Sequence, residues 1–243
     1  MSERSELPAG AARRSSSVLI VDDEPKIRSA VRQALEREVR LVLEASNGRD
    51  AIAIAERERP GLVVIDLGLP DMEGLAVCRA IRGWSSVPIL VLSARTDEQE
   101  KASLLEAGAD DYVTKPFSTV ELRARVRAAL RRSQMAPVPG TDAPIVIGDL
   151  VIDTARRLVT SAGSDVHLTP TEWGLLRVLI ANAGRPVTHE RLFRAVWGQA
   201  EGDAQLYLRV YVAHLRRKLE GDSYRPRLII TEPGVGYRFV LAP

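Results

Sequence analysis

Five side chains stand at the ends of apolar runs in the first half of the sequence. Asp22 and Asp23 follow "SVLIV", Asp66 follows "LVVI", Ser93 follows "PILVL" and Lys115 follows "DYVT". Three carboxylates crowded together repel one another and raise each other's pKa. A divalent cation removes that repulsion, and an all-oxygen donor set with water suits Mg²⁺. In that setting an ionised Asp66 can act as a nucleophile on a phosphoryl group, forming an aspartyl phosphate. The metal, the Lys115 ammonium and the Ser93 hydroxyl would stabilise charge on the transferring oxygens. No separate general base is needed, because the nucleophile is already ionised. Such a set also explains why a strand that reads as buried ends on a carboxylate, a position that costs free energy unless something compensates it.

This chemistry requires the run ends to be neighbours, and the patterning of residues 17–132 supplies that. Short β-branched runs at 17–23, 40–45, 62–67, 88–93 and 111–116 alternate with helical patterns near 25–38, 47–58, 72–83, 97–107 and 118–132. Five strands alternating with five helices predict a doubly wound parallel sheet covered on both faces, with its site at the carboxyl ends of the strands. "STVE" (118–121) is a capping box that opens the last helix. Each site residue alone has an ordinary explanation, since Asp-Asp often caps a helix and Lys-Pro is a common turn. Five of them at four adjacent strand ends favour a functional pocket.

The 243 residues suffice for one large domain or two ordinary ones. No apolar run approaches the roughly 20 residues of a membrane span, so no membrane association is expected. Residues 1–16 are polar and small, lack the apolar stretch of a secretory signal and read as a disordered tail. The single cysteine, Cys78, fits a small buried hydrophobe in a reducing cytoplasm. A Pro/Gly-rich stretch at 133–144 reads as a linker to a second domain at 145–243.

That second domain opens with strand-like pieces, "IVIGDLVID", "RRLVTSAG" and "VHL". A helix capped by Thr169 and Glu172 follows, then one from Thr188 to "WG" and a third over 203–220. "LIITEPGVGYRFV" (228–240) reads as a hairpin, so the pattern is a helix-turn-helix with a wing, an α+β domain. The net charge is only +2, but "QLYLRVYVAHLRRK" (205–218) holds four basic residues and no acid, a local hint of nucleic acid. With Leu208, Val212, Leu215 and Leu219 turned inward, Arg209, Arg216 and Arg217, flanked by Tyr211 and His214, could reach phosphates or base edges. Trp173 and Trp197 read as core residues.

"LIVDDEP", "VVIDLGLPDMEG", "LVLSART" and "GADDYVTKPF" resemble the flavodoxin-like receiver domain of two-component response regulators over about residues 17–132. The resemblance implies that Asp66 accepts phosphate from a sensor histidine kinase, and that Asp22, Asp23, Asp66 and the Gly68 carbonyl hold Mg²⁺. It also implies that Ser93 and Lys115 bind the phosphoryl group and that Tyr112 is the aromatic switch. In this family three ion pairs join two receivers; the matching positions read Lys101 with Glu121, Asp110 with Arg132, and Asp111 with Arg125, which implies a homodimer on phosphorylation.

"LTPTEWGLL", "VTHERLFRAVWG", "VYVAHLRRKLE" and "GVGYRFV" resemble the winged-helix effector of the OmpR/PhoB group, implying sequence-specific binding of double-stranded DNA at direct repeats. "DLGLPDMEG", "RGWSSVPILVLSAR" and "YLRVYVAHLRRKLE" are similar above all to the Kdp potassium-responsive regulators. One departure is Pro233, in "TEPGVG" after Thr231, where many relatives carry a wing arginine; Pro233 has neither charge nor amide donor, which favours phosphate contact by Tyr237 or Arg238.

Other functions fit less well. A phosphatase of the haloacid-dehalogenase type needs an acid two residues after the nucleophile, where this chain has Gly68, so at most slow aspartyl-phosphate turnover is expected. No GxxxxGK[ST] loop supports nucleotide binding. An effector domain that binds protein instead of DNA is disfavoured by the basic stripe and the wing.

Overall fold

A computed structural model describes residues 17–94, 97–133, 143–198, 202–220 and 225–241. The expected tail and residues 134–142 of the expected linker lie outside them. Among the described residues, packing groups the chain into two compact units: Ser17–Asp97 with Ala107–Leu130, and Glu98–Glu106 with Arg131 onward. Among the described residues no helix is long and apolar enough to cross a membrane.

The first half follows the expected alternation: β1 (Ser17–Val21), α1 (Pro25–Leu35), β2 (Leu41–Ala45), α2 (Gly48–Glu58), β3 (Leu62–Asp66), α3 (Gly74–Arg82), β4 (Ile89–Ser93), α4 (Glu98–Glu106), β5 (Asp111–Thr114) and α5 (Thr119–Ser133). The strands pair in parallel in the order β2-β1-β3-β4-β5. After β2 the chain crosses back over β1 to place β3 on its other side, which opens a crevice at the carboxyl ends of β1 and β3. β1, β3 and β4 are continuous apolar runs because both their faces are covered. Val18, Ile20, Val64, Leu90 and Leu92 pack on one face with Val31, Leu35, Leu122 and Val126 of α1 and α5. On the other face Ala51, Ala55, Val77, Cys78 and Ile81 of α2 and α3 are buried. Burial pushes the Cys78 thiol up to about 12, so it stays a neutral packing group as expected.

Helix starts explain two departures from the expected elements. α3 begins at Gly74 instead of 72, because Gly74 N donates to Leu67 O (2.9 Å) and Gly68 bridges Glu73, folding 68–73 into a tight loop. At α5 half of the expected capping box forms: Ser118 Oγ accepts from Glu121 N (3.1 Å), while the Glu121 carboxylate accepts from Arg125 Nε one turn on.

The second half begins with an antiparallel meander, β6 (Ile145–Ile147), β7 (Leu150–Asp153), β8 (Leu158–Ser161) and β9 (Ser164–Asp165). "VHL" is not a strand: Val166 N still donates to Val159 O (2.8 Å), and the chain then turns to the cap of α6 (Pro170–Ala181). Thr169 and Glu172 close that capping box as expected. A two-residue strand that the sequence pattern did not reveal, β10 (Val187–Thr188), leads into α7 (His189–Trp197). It pairs with β12 (Gly236–Phe239), which pairs in turn with β11 (Ile229–Glu232). Gly236 is required at that pairing, since a Cβ there would lie 2.0 Å from Val187 O. Between them runs α8 (Ala204–Leu219), capped by Asp203 and burying Leu208, Val212, Leu215 and Leu219 as expected. Trp197, Phe193, Tyr207 and Tyr211 form an aromatic cluster between α7 and α8.

Candidate functional site

The sheet brings the predicted pocket together. Asp22 follows β1 and is fully buried; Asp66 ends β3 at 9% exposure. Lys115 follows β5, and its ammonium lies 2.6 Å from Asp66 Oδ1 and 2.9 Å from Asp22 Oδ2. The remaining carboxylate oxygens have their own donors: Gly68 N to Asp66 Oδ2 (2.8 Å) and Glu24 N to Asp22 Oδ1 (2.9 Å). Burial alone would lower the pKa of Lys115, but hydrogen bonds from its ammonium to Asp66 and Asp22, and their charge, outweigh burial and raise it. Ser93 ends β4 and is buried, and Lys115 N donates to Ser93 O (2.7 Å), so the backbone fixes the hydroxyl-bearing and amine-bearing residues side by side. Tyr112 lies in β5 opposite Val91, buried, with the Arg125 guanidinium 5.9 Å from its ring centroid.

Two buried carboxylates therefore share one ammonium, and the exposed Asp23 adds a third negative group beside them. This surplus charge on an oxygen-only donor set fits a hard divalent cation. Among the described residues no three His, Cys, Asp or Glu side chains converge as they stand into a metal cluster; Lys115 bridges Asp22 and Asp66 instead.

Two supporting residues escaped the sequence reading. Arg28 Nη1 in α1 donates to the carbonyls of Asp22 (2.7 Å) and Asp23 (3.1 Å), holding the acidic turn. Asp71 accepts from Gly48 N (2.7 Å) and Arg49 N (3.0 Å), tying the loop after Asp66 to the start of α2. The Gly48 amide, chief among the groups around it, holds the Asp71 carboxyl below its usual range. Their backbone partners leave no trace in spacing; the only signal was an acid within a Pro/Gly loop.

Of the residues expected at a dimer face, Asp111 and Arg125 pair within the chain at 2.7 Å, both buried, and Arg125 also meets Glu121 at 3.1 Å. Asp110 accepts from Ile89 N (2.9 Å) and from Arg82, whose guanidinium also donates to Gly108 O (2.8 Å). Lys101 is half-buried on α4, and Arg132 is buried near the end of α5.

On α8, Arg209 and Arg217 are exposed. Tyr211 is enclosed at 3% exposure against Trp197, edge-on to His214. His214 is mostly buried, 3.9 Å from Glu172 Oε1. Glu172 Oε2 takes the Lys218 ammonium at 2.7 Å, an anchor that spacing did not single out. Arg216 Nη2 donates to Ile229 O (2.6 Å) and to Thr231 Oγ1 (2.8 Å). Tyr237 is buried edge-on to His189, and Arg238 pairs with Glu232 at 2.6 Å. Pro233 stands exposed at the wing turn.

Known proteins share both halves. Residues 18–127 match the response regulator receiver domain and residues 163–239 the C-terminal domain of transcriptional regulatory proteins. The KDP operon transcriptional regulatory protein KdpE of Escherichia coli K12 is 46% identical over 93% of this chain and 100% of its own. The transcriptional regulatory protein KdpE of Mycobacterium tuberculosis (strain CDC 1551 / Oshkosh) is 48% identical over 91% and 98%. The crystal structure of DrrB, an OmpR/PhoB homologue from Thermotoga maritima, is 33% identical over 93% of this chain and 99% of its own, with a TM-score of 0.50. A mutant of RitR, 24% identical over 93% and 99%, shares the fold at a TM-score of 0.73. The chain thus belongs to the response regulators of the OmpR/PhoB type, which join a phosphoryl-accepting receiver to a DNA-binding winged helix, and within them it is similar to KdpE.

Proposed function

We propose that this protein is a cytoplasmic regulator of a potassium-transport operon, switched by phosphorylation of Asp66 by a sensor histidine kinase. The observation that carries the reading is the Lys115 ammonium shared between Asp66 Oδ1 and Asp22 Oδ2 at the carboxyl ends of β1, β3 and β5. An Asp66 carboxylate oxygen attacks the phosphorus of a phosphohistidine. The new P–O bond forms as the P–N bond breaks, and the electron pair returns to the imidazole. Mg²⁺, held by Asp22, Asp23, Asp66 and the Gly68 carbonyl, would neutralise charge on the transferring oxygens. Lys115, released from Asp66 Oδ1, donates to a phosphoryl oxygen while keeping Asp22, and the Ser93 hydroxyl donates to another. With glycine at position 68 no acid side chain stands there to drive rapid hydrolysis, so the chain acts as a phosphoacceptor and not as a turnover enzyme.

Movement of Ser93 toward the phosphoryl group opens space for Tyr112, a shift between two packings that phosphate biases only by its differential affinity. The shift would have to release Asp110, Asp111, Arg125 and Arg132, which are buried as they stand, before this face, with Lys101 and Glu121, pairs with a second copy. The resulting homodimer places two α8 helices, each exposing Arg209 and Arg217, on direct repeats in duplex DNA. Beryllofluoride with Mg²⁺, which mimics the phosphoryl group, is expected to convert wild-type monomer to dimer in sedimentation and leave Asp66→Ala monomeric. A wild type that stays monomeric would overturn the dimer switch.

A further inference from the structure

Arg216 sits on the basic stripe of α8, where spacing alone would make it a DNA contact, yet its guanidinium is turned toward the wing. Nε donates to Ile229 O at 2.9 Å, and Nη2 donates to the same oxygen at 2.6 Å and to Thr231 Oγ1 at 2.8 Å. The same group lies 6.0 Å from the ring centroid of Tyr237 on the neighbouring strand. One turn further along α8, the Glu220 carboxylate accepts from the backbone amides of Arg227, Leu228 (2.9 Å) and Ile229 (3.2 Å). Positions 216 and 220 share a helix face, so an arginine and a glutamate grip the carbonyl and amide sides of one strand start. The planar guanidinium fork can serve two acceptors at once, which a lysine ammonium on a flexible stem does not reproduce. Burial lowers the Arg216 pKa, in keeping with a group committed to protein and not to solvent.

We infer that Arg216, assisted by Glu220, is a positioning residue that locks β11 and hence the wing turn at 232–236 to α8, and that it does not itself contact DNA. The inference rests on the DNA-binding reading and divides its basic residues in two. Arg209 and Arg217 are exposed and available for phosphates or bases; Arg216 fixes the distance between the helix and the wing. Thr231 becomes the acceptor that registers β11 on Arg216. DNA recognition by a wing without an arginine at Pro233 then depends on where the wing is held more than on what it carries.

Salt dependence separates the two roles. A lost phosphate contact lowers the slope of log affinity against log salt by about 0.9, whereas a lost positioning contact leaves the slope unchanged. The full-length protein, activated with beryllofluoride, would be tested on duplexes that the wild type selects from a random-sequence pool. Arg216→Ala and Arg216→Lys are both expected to weaken binding at least tenfold with the wild-type slope. Both should also speed amide hydrogen exchange across 227–232 in the DNA-free protein. Thr231→Val is expected to move both readouts the same way by less. Wild-type affinity in Arg216→Lys, a slope reduced by about 0.9 in Arg216→Ala, or wild-type exchange across 227–232 in both Arg216 variants would each overturn the inference. If the wild type selects no duplex, the DNA-binding reading fails, and the exchange comparison still decides whether Arg216 holds the wing.

Discussion

Gly74→Ala is expected to destabilise the receiver by about 3 kcal/mol and to abolish phosphoryl acceptance at Asp66. A Cβ at Gly74 would lie 2.3 Å from Asp66 O and 2.8 Å from Leu67 Cα, both backbone atoms that cannot swing aside. The chain has no slack there, because Gly74 N already donates to Leu67 O and Gly68 bridges Glu73. Relief requires moving either the end of β3, which carries Asp66, or the start of α3. Gly68→Ala is the control: its Cβ would meet only Asp66 Oδ2, at 3.2 Å, so a small change in stability is expected. Urea unfolding followed by circular dichroism measures both. Equal stability of the two variants would show that α3 can shift freely, and the tight loop would lose its role.

Lys115→Met carries the second large effect. The substitution keeps the length of the side chain and removes the ammonium that meets both Asp66 and Asp22. Breaking a buried ion pair costs about 3–5 kcal/mol; Lys115 is one-fifth exposed, which reduces the expected loss to about 2 kcal/mol. Chelator is needed in the measurement, since a divalent cation would offset the freed charge. The pH dependence follows from the raised pKa of Lys115. Its contribution is complete below the ordinary value of 10.5 and is lost only as pH rises through the higher folded value. The stability gap between wild type and Lys115→Met should therefore stay level from roughly pH 6 to 10 and close above that range. If Lys115 is the cationic partner of the phosphoryl oxygens, as proposed, beryllofluoride-induced dimerisation should disappear in the variant. A gap that closes between roughly pH 7 and 9 would show that another group, not Lys115, balances the two carboxylates.

The pocket was legible in the sequence for a specific reason. A charged residue at the end of an apolar run is costly, and parallel strands put their ends at one edge, so Asp22, Asp66, Ser93 and Lys115 announce both their type and their neighbourhood. The same logic found the sheet, because its strands are buried on both faces and read as unbroken apolar runs. Long side chains on helices were less legible. Periodicity placed Arg216 on the outward face of α8 with Tyr211 flanking it, and could not show that Arg216 turns to the wing and Tyr211 inward. That choice is made by Ile229 O for Arg216 and by Trp197 for Tyr211, partners 13 and 14 residues away. Arg28 and Asp71 were missed for a related reason, since both bind backbone groups that carry no sequence signature. β10 escaped because two residues cannot display a period, and α3 was started early because the bridge from Gly68 to Glu73 is a loop contact with no periodic signal.

The proposed switch depends on Asp66 as the phosphoryl acceptor. Its most direct test is the intact mass of wild type and Asp66→Ala after incubation with a small phosphodonor and Mg²⁺. The expected result is one added phosphoryl group on the wild type and none on the variant. Equal uptake by both proteins, or none by either, would contradict the assignment.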